Sequence, residues 1–186
     1  KSRVTSWAAT NNSSGWSGGL VEWTIDKRAY LSVVFSWNLQ RAYQRAAWYR
    51  SAGYAVFAGG PAVMLNPGLF DGIAITSFDS PDAIARHNPS ATFTTRGCIR
   101  RCPFCAVPIM EGAFRELDDW PIRPIVCDNN LLAASSKHFD SVIDKLRPLS
   151  DVDFNQGLDA RLLTTDRARK LAELRLKCIR LAWDDT

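Results

Sequence analysis

Apolar runs alternate with amphipathic stretches along the chain, and this alternation predicts an α/β fold. Residues 29–36 form a continuous apolar run of the kind found in strands that are buried on both faces. Residues 38–48 then place their apolar side chains with helical spacing. Short apolar runs at residues 54–58 and 72–76 predict two further strands. The order of strand, helix and strand predicts a small, Rossmann-like parallel sheet that is doubly wound.

This first domain is expected to cover residues 1–89. Residues 4–8 are predicted to be its first strand, and Ser80, Pro81 and Asp82 have the composition of a helix start. After the strand at residues 4–8, turn-forming Asn, Ser and Gly residues predict a polar loop that extends to about residue 25. We expect buried tryptophans to anchor this loop. A Gly/Ser loop of this kind could also hold a phosphate or an adenosine moiety, although it does not match G-x-G-x-x-G.

The same alternation returns in residues 90–186. Strands are predicted at residues 91–96, 124–127, 152–155 and 178–183, and helical spacing of apolar residues predicts helices near 139–146 and after Thr165. Polar residues follow each strand, which is where parallel α/β folds build their sites. Four strands are too few to close a barrel, so we expect a partial (β/α) barrel and a longer parent protein.

Composition and charge narrow the functional classes. The formal net charge is +4 and the isoelectric point is about 8.9, with the basic residues spread along the chain. Nucleic-acid binding is therefore possible but not indicated. No apolar run approaches the roughly 20 residues that span a bilayer, and no secretory signal is visible. An odd number of five cysteines does not suit a disulfide framework, so we expect a reducing, cytoplasmic location.

Three of the cysteines form a compact motif directly after a predicted strand. Cys98, Cys102 and Cys105 have the spacing C-x3-C-x2-C. Three soft ligands on one loop suit a metal ion or an iron–sulfur cluster better than packing. One alternative is a zinc-stabilised binding module in which Cys127 or His138 supplies the fourth ligand. Another is a Rossmann-like interaction protein without an active cluster.

The cysteine motif resembles the signature of the radical S-adenosylmethionine (radical SAM) superfamily. Phe104 precedes the third cysteine, where that superfamily usually has an aromatic residue, and residues 93–97 resemble the end of its first barrel strand. The resemblance implies that Cys98, Cys102 and Cys105 hold a [4Fe–4S] cluster whose open iron chelates S-adenosylmethionine. An electron from an external donor then cleaves a carbon–sulfur bond, and the resulting radical modifies a substrate. That substrate could be a small molecule, a peptide or a nucleoside.

Other polar residues at strand ends are carried over from this resemblance as cofactor contacts. Asp128 and Asn129 are expected near the methionyl amino group, although an ordinary Asn/Asp turn is an open alternative. Gln156 and Arg161 are expected to make later contacts. Arg161 could pair with the methionyl carboxylate or form a salt bridge within the protein.

The first half of the chain looks like the cobalamin-binding-type domain that precedes the barrel in one branch of the superfamily. Residues 32–38 and 59–61 carry this likeness. The D-x-H-x-x-G motif of that class is absent, and neither His87 nor His138 lies in such a sequence. We therefore expect a degenerate structural domain and no bound cobalamin.

Overall fold

The computed structural model of the chain describes residues 15–76 and 83–182. The described residues form two compact units, which we call the N-terminal unit (within residues 13–89) and the C-terminal unit (within residues 90–186). Both combine helices with parallel strand pairs, so the α/β class is confirmed. The strand predicted at residues 4–8 and the helix start predicted at residues 80–82 lie outside the described residues. None of the helices in the described part of the chain has both the length and the apolar character needed to cross a bilayer.

The N-terminal unit contains a four-stranded sheet in which the strands lie side by side in chain order. These strands are β1 (Leu20–Ile25), β2 (Arg28–Val33), β3 (Ala55–Gly59) and β4 (Ile75–Thr76). The pairs β2–β3 and β3–β4 are parallel, but β1 pairs antiparallel with β2. The prediction of a wholly parallel sheet, with a loop up to residue 25, was therefore wrong. Asp26 has a φ of +52° in the tight turn that lets β1 and β2 pair as a hairpin.

One helix covers a face of this sheet. Helix α1 (Leu39–Ser51) turns Ala42 and Ala46 onto β2 and β3, where they are buried beside Leu31 and Ala58. Small residues on the helix let its backbone approach the sheet closely. Two short helices, α2 (Pro61–Met64) and α3 (Ala83–His87), complete the α-helices of this unit's described part.

Aromatic side chains run across three neighbouring strands of the same sheet. Trp23, Tyr30 and Phe57 occupy register positions directly opposite one another on β1, β2 and β3. Their rings stack with centroid separations of 5.4 Å for Trp23–Tyr30 and 5.2 Å for Tyr30–Phe57. Such cross-strand pairs stabilise a sheet by about 0.2–1 kcal/mol each. Trp23 is thus buried as expected, but it is buried in a strand and not in a loop.

The C-terminal unit is built on a second four-stranded sheet, and all three of its strand pairs are parallel. The order across this sheet follows the chain: β5 (Ala91–Thr92), β8 (Ile125–Val126), β9 (Val152–Phe154) and β11 (Leu176–Cys178). The unit also contains two separate strand pairs, namely β6 (Thr95–Arg96) with β7 (Arg115–Glu116), and β10 (Leu158–Asp159) with β12 (Leu181–Ala182). The strands expected at residues 91–96 and 178–183 are therefore each divided in two.

Within its described residues, the C-terminal unit has three α-helices: α4 (Val107–Met110), α5 (Ser136–Leu146) and α6 (Thr165–Ala172). Helix α6 is capped by Thr164, whose hydroxyl accepts a hydrogen bond from Arg167 N. The cap thus lies one residue before Thr165, the position expected from sequence. The apolar side of α5 joins Val152 and Phe154 of β9 in one core. The buried residues that α5 contributes are Phe139, Val142, Ile143 and Leu146.

Candidate functional site

The cysteine loop lies between β6 and α4, and its base is held by one carboxylate. Glu111 Oε2 accepts a hydrogen bond from Gly97 N at 2.7 Å and forms an ion pair with Arg96 Nε at 3.2 Å. The side chains of Arg96 and Glu111 are only 9% and 6% exposed, so this pair is shielded from water. Gly97 has a φ of +73°, and a Cβ there would lie 2.5 Å from the carbonyl oxygen of Ala113. Only glycine therefore fits where the loop begins.

All three cysteines of the loop line one open cleft with a volume of about 720 Å³. Cys98, Cys102 and Cys105 are free thiols and are half-buried. Within the described residues, no group of three or more His, Cys, Asp or Glu side chains is close enough together to hold a metal ion. The structure therefore brings the three thiols to one cleft but does not gather them around one point.

Large apolar side chains are exposed on and around the same loop. Ile99 and Ile109 line the cleft, and both are mostly exposed. Phe104, expected beside the third cysteine, is 70% exposed and does not line the cleft. The loop thus presents apolar surface that is unusual for a water-exposed turn.

Cys98 has the most polar surroundings of the three. Its sulfur accepts hydrogen bonds from Arg100 N at 3.3 Å and from Asn130 Nδ2 at 3.5 Å. Asn130 follows β8 and is only 2% exposed. Its amide nitrogen also lies 3.4 Å from Asp159 Oδ2, while its Oδ1 has no hydrogen-bond partner within the described residues. Because Asn130 comes from the end of a neighbouring strand, the contact places Cys98 at the carboxyl edge of the parallel sheet.

Asp159 connects this amide to two arginines. Arg100 Nε donates to its Oδ2 at 3.0 Å, and Arg161 Nε donates to its Oδ1 at 2.8 Å. Burial works against the charged form of Asp159, but the hydrogen bonds from Arg161 and Arg100 outweigh it, and the pKa of this carboxyl is lowered. Asp159 is therefore a fixed negative charge. Arg161, carried over as a cofactor contact, forms a salt bridge within the protein in this structure.

The remaining carried-over residues have different surroundings. The Asp128 carboxylate accepts hydrogen bonds from Thr94 N, at 2.6 Å, and from the Thr94 hydroxyl. Burial raises the pKa of Asp128 despite these hydrogen bonds. Asn129 is half-buried, and its Nδ2 has no hydrogen-bond partner within the described residues. Gln156 is exposed. Among the three polar residues after β8, the one that contacts a loop cysteine is Asn130, which directly follows the two positions expected from sequence.

Neither residue suggested as a fourth zinc ligand is suited to that role in this structure. Cys127 is buried, and burial, together with the nearby charges of Asp128 and Asp153, raises the pKa of its thiol to about 12. His138 lies on α5, where its Nδ1 is 3.8 Å from Glu116 Oε2. Each side chain makes contacts away from the cysteine loop, so neither supplies a fourth ligand to the three thiols in this structure.

In the N-terminal unit, the Gly/Ser loop is tied down by a buried histidine. Ser17 Oγ and His87 Nδ1 are 2.6 Å apart, and His87 Nε2 and Ser32 Oγ are 2.9 Å apart. Ser17 N also donates to the His87 carbonyl oxygen at 2.8 Å. Burial lowers the pKa of His87 to about 4, so the imidazole is neutral near pH 7. Through its two ring nitrogens, His87 of α3 thus links Ser17 of the loop to Ser32 of β2.

Together, these features define an α/β protein with a thiol-lined cleft at the carboxyl edge of a parallel sheet. No family model, no curated protein and no solved structure matches the chain. The donor set at the cleft is therefore the basis for assigning a function. Three free thiols with N–H donors aimed at one of the sulfurs suit an iron–sulfur cluster, whereas a hard cation would require oxygen ligands.

Proposed function

We propose that this chain is a radical SAM enzyme, or part of one, in which Cys98, Cys102 and Cys105 hold a [4Fe–4S] cluster. The observation that carries the proposal is that three thiols with C-x3-C-x2-C spacing line a single cleft at the end of parallel strands. Three protein ligands leave one iron of such a cluster free for S-adenosylmethionine. When bound, the cluster and S-adenosylmethionine would supply reductive carbon–sulfur cleavage and a radical for substrate modification.

The strand order of the C-terminal unit supports its interpretation as a partial (β/α) barrel. Strands β5, β8, β9 and β11 lie side by side in chain order. A barrel is wound in one direction in this way, whereas a doubly wound sheet reverses its order at a switch point. For the N-terminal unit, the parallel strands β2, β3 and β4 with α1 support a Rossmann-like α/β domain, although their chain order has no switch point and the sheet is therefore not doubly wound as expected. The absence of a D-x-H-x-x-G motif is the reason for proposing that this domain binds no cobalamin.

The residues of this chain would position the cofactors. Asn129 and Asn130 each have a side-chain atom without a hydrogen-bond partner within the described residues, Nδ2 and Oδ1 respectively. The Asn130 atom is available to a bound ligand beside Cys98, and the Asn129 atom is available to a ligand at the end of the same strand. Asp128 and Arg161 already bind Thr94 and Asp159, so a contact from either to S-adenosylmethionine would require it to share or exchange its present partner. For Phe104 and Gln156, exposure leaves room for a ligand contact.

The proposal includes an external electron donor, a cytoplasmic location and a substrate that is a small molecule, a peptide or a nucleoside. Exposed apolar side chains around the cleft, such as Ile99 and Ile109, are consistent with docking of such a partner or substrate. The zinc-module alternative has less support, because Cys127 and His138 are engaged elsewhere.

Anaerobic reconstitution with iron and sulfide tests the proposal. We expect about four irons per chain, and an electron paramagnetic resonance signal of the reduced cluster that changes when S-adenosylmethionine is added. Cys102→Ala should abolish cluster assembly. Cys178→Ala, a cysteine outside the loop, is the matched control and should assemble the cluster normally. Stoichiometric zinc without iron uptake, or full iron uptake by Cys102→Ala, would rule the proposal out.

A further inference from the structure

The hydrogen bond from Asn130 to Cys98 distinguishes one cysteine of the loop from the other two. Within the described residues, Cys98 Sγ accepts two N–H hydrogen bonds, and no side-chain donor contacts the sulfur of Cys102 or Cys105. The Asn130 amide is almost completely buried, so water does not compete for this donor. The three thiolates would therefore carry their negative charge in unequal surroundings.

The orientation of the Asn130 amide follows from its partners. Its Nδ2 faces both Cys98 Sγ and Asp159 Oδ2, and a carboxylate oxygen can only accept hydrogen bonds. The nitrogen, and not the oxygen, must therefore point toward the sulfur. Arg100 and Arg161 hold Asp159 ionised and in place, so the amide is oriented by a fixed acceptor. The arrangement is a chain of contacts that ends at one cysteine sulfur.

We infer that Asn130 is a positioning residue that raises the reduction potential of the cluster through its hydrogen bond to Cys98. The inference rests on the proposed function. Reduction adds negative charge to the cluster and its thiolates, and an N–H donor stabilises the more negative state. The hydrogen bond is present in both oxidation states, so only the strength that it gains on reduction shifts the potential, and we expect this gain to be about a tenfold change in the equilibrium constant. For a one-electron couple, a tenfold change corresponds to about 59 mV.

Potentiometric titration of the reconstituted full chain measures this effect without turnover. Asn130→Leu keeps the size of the side chain and removes the donor, so we expect its cluster to be reduced at a potential lower by about 59 mV. Asn155→Leu is the matched control. Asn155 is also a buried asparagine after a strand, and it contacts none of the loop cysteines within the described residues. Its cluster should keep the wild-type potential.

A measurement on the wild-type protein guards against misfolding of the variant. Side-chain ¹⁵N-labelled asparagine should give a nitrogen hyperfine coupling in pulsed electron paramagnetic resonance of the reduced cluster. A coupling together with a lowered potential in Asn130→Leu supports the inference. An iron-loaded Asn130→Leu with the wild-type potential, or a loaded wild-type protein without any asparagine coupling, overturns this inference alone. Failure of the wild-type chain to take up iron overturns the proposed function and this inference with it.

Discussion

The buried ion pair at the base of the cysteine loop should dominate the local stability of that loop. Glu111 pairs with Arg96 at 3.2 Å and also accepts the Gly97 amide, with both charged side chains less than one-tenth exposed. Removing one member of a buried pair leaves the other charge buried without that compensating partner, which costs about 3–5 kcal/mol. We therefore expect Glu111→Ala to lower the free energy of unfolding of the C-terminal unit by about 3–5 kcal/mol. Glu111→Gln, which keeps an acceptor for Gly97, should cost less.

Urea unfolding followed by circular dichroism gives this free energy, and hydrogen exchange across residues 94–114 localises the effect. The matched control is Glu173→Ala in the same unit. Glu173 pairs with Arg147 at the surface, where the two side chains are about half exposed. A surface pair of this kind contributes at most about 1 kcal/mol. Equal losses of stability in Glu111→Ala and Glu173→Ala, or unchanged exchange in residues 94–114, would refute the reasoning.

Two further predictions follow from burial. His87 has a pKa lowered to about 4 by burial, so below its ordinary value of about 6.5 the unfolded chain binds a proton that the folded chain does not. Stability of the N-terminal unit should fall by roughly 3 kcal/mol as the pH drops from 6.5 to 4. Imidazole NMR should find His87 neutral at pH 5, and a His87 that titrates near 6.5 would contradict this. Phe139 on α5 is 1% exposed, and Phe139→Ala should cost about 3–5 kcal/mol in chemical denaturation. Ile179→Ala, at an exposed position of the same unit, should cost less than about 0.5 kcal/mol, and similar costs for both would contradict the packing described.

The helices were the most predictable part of the fold. Helices α1 and α5 bury side chains at helical spacing, and that spacing is visible in the sequence because it is local. Strand β1 was missed because turn-forming residues directly precede it. Its antiparallel direction was missed because the apolar pattern of one strand does not show how that strand pairs with its neighbour. Its partner β2 was predicted, but the antiparallel hairpin between them depends on the turn at Asp26.

The site was predictable where its residues are close in sequence. The three cysteines lie within eight residues, so their shared loop follows from spacing alone. Asn130 was not singled out, because three consecutive polar residues end β8 and the sequence does not say which one turns toward Cys98. The contact of Asp159 with Arg100 joins segments 59 residues apart, and only the folded sheet brings them together.

The chain-order arrangement of β5, β8, β9 and β11 has a consequence for how the C-terminal unit folds. Each strand of that sheet pairs with the previous one in sequence, so every new pairing closes a loop of moderate length. Parallel pairing across such loops is slower than hairpin formation, but no strand of this sheet has to wait for a partner that follows a later strand. During synthesis, each strand emerging from the ribosome would find its partner already made, so the sheet can grow strand by strand without waiting for the rest of the chain.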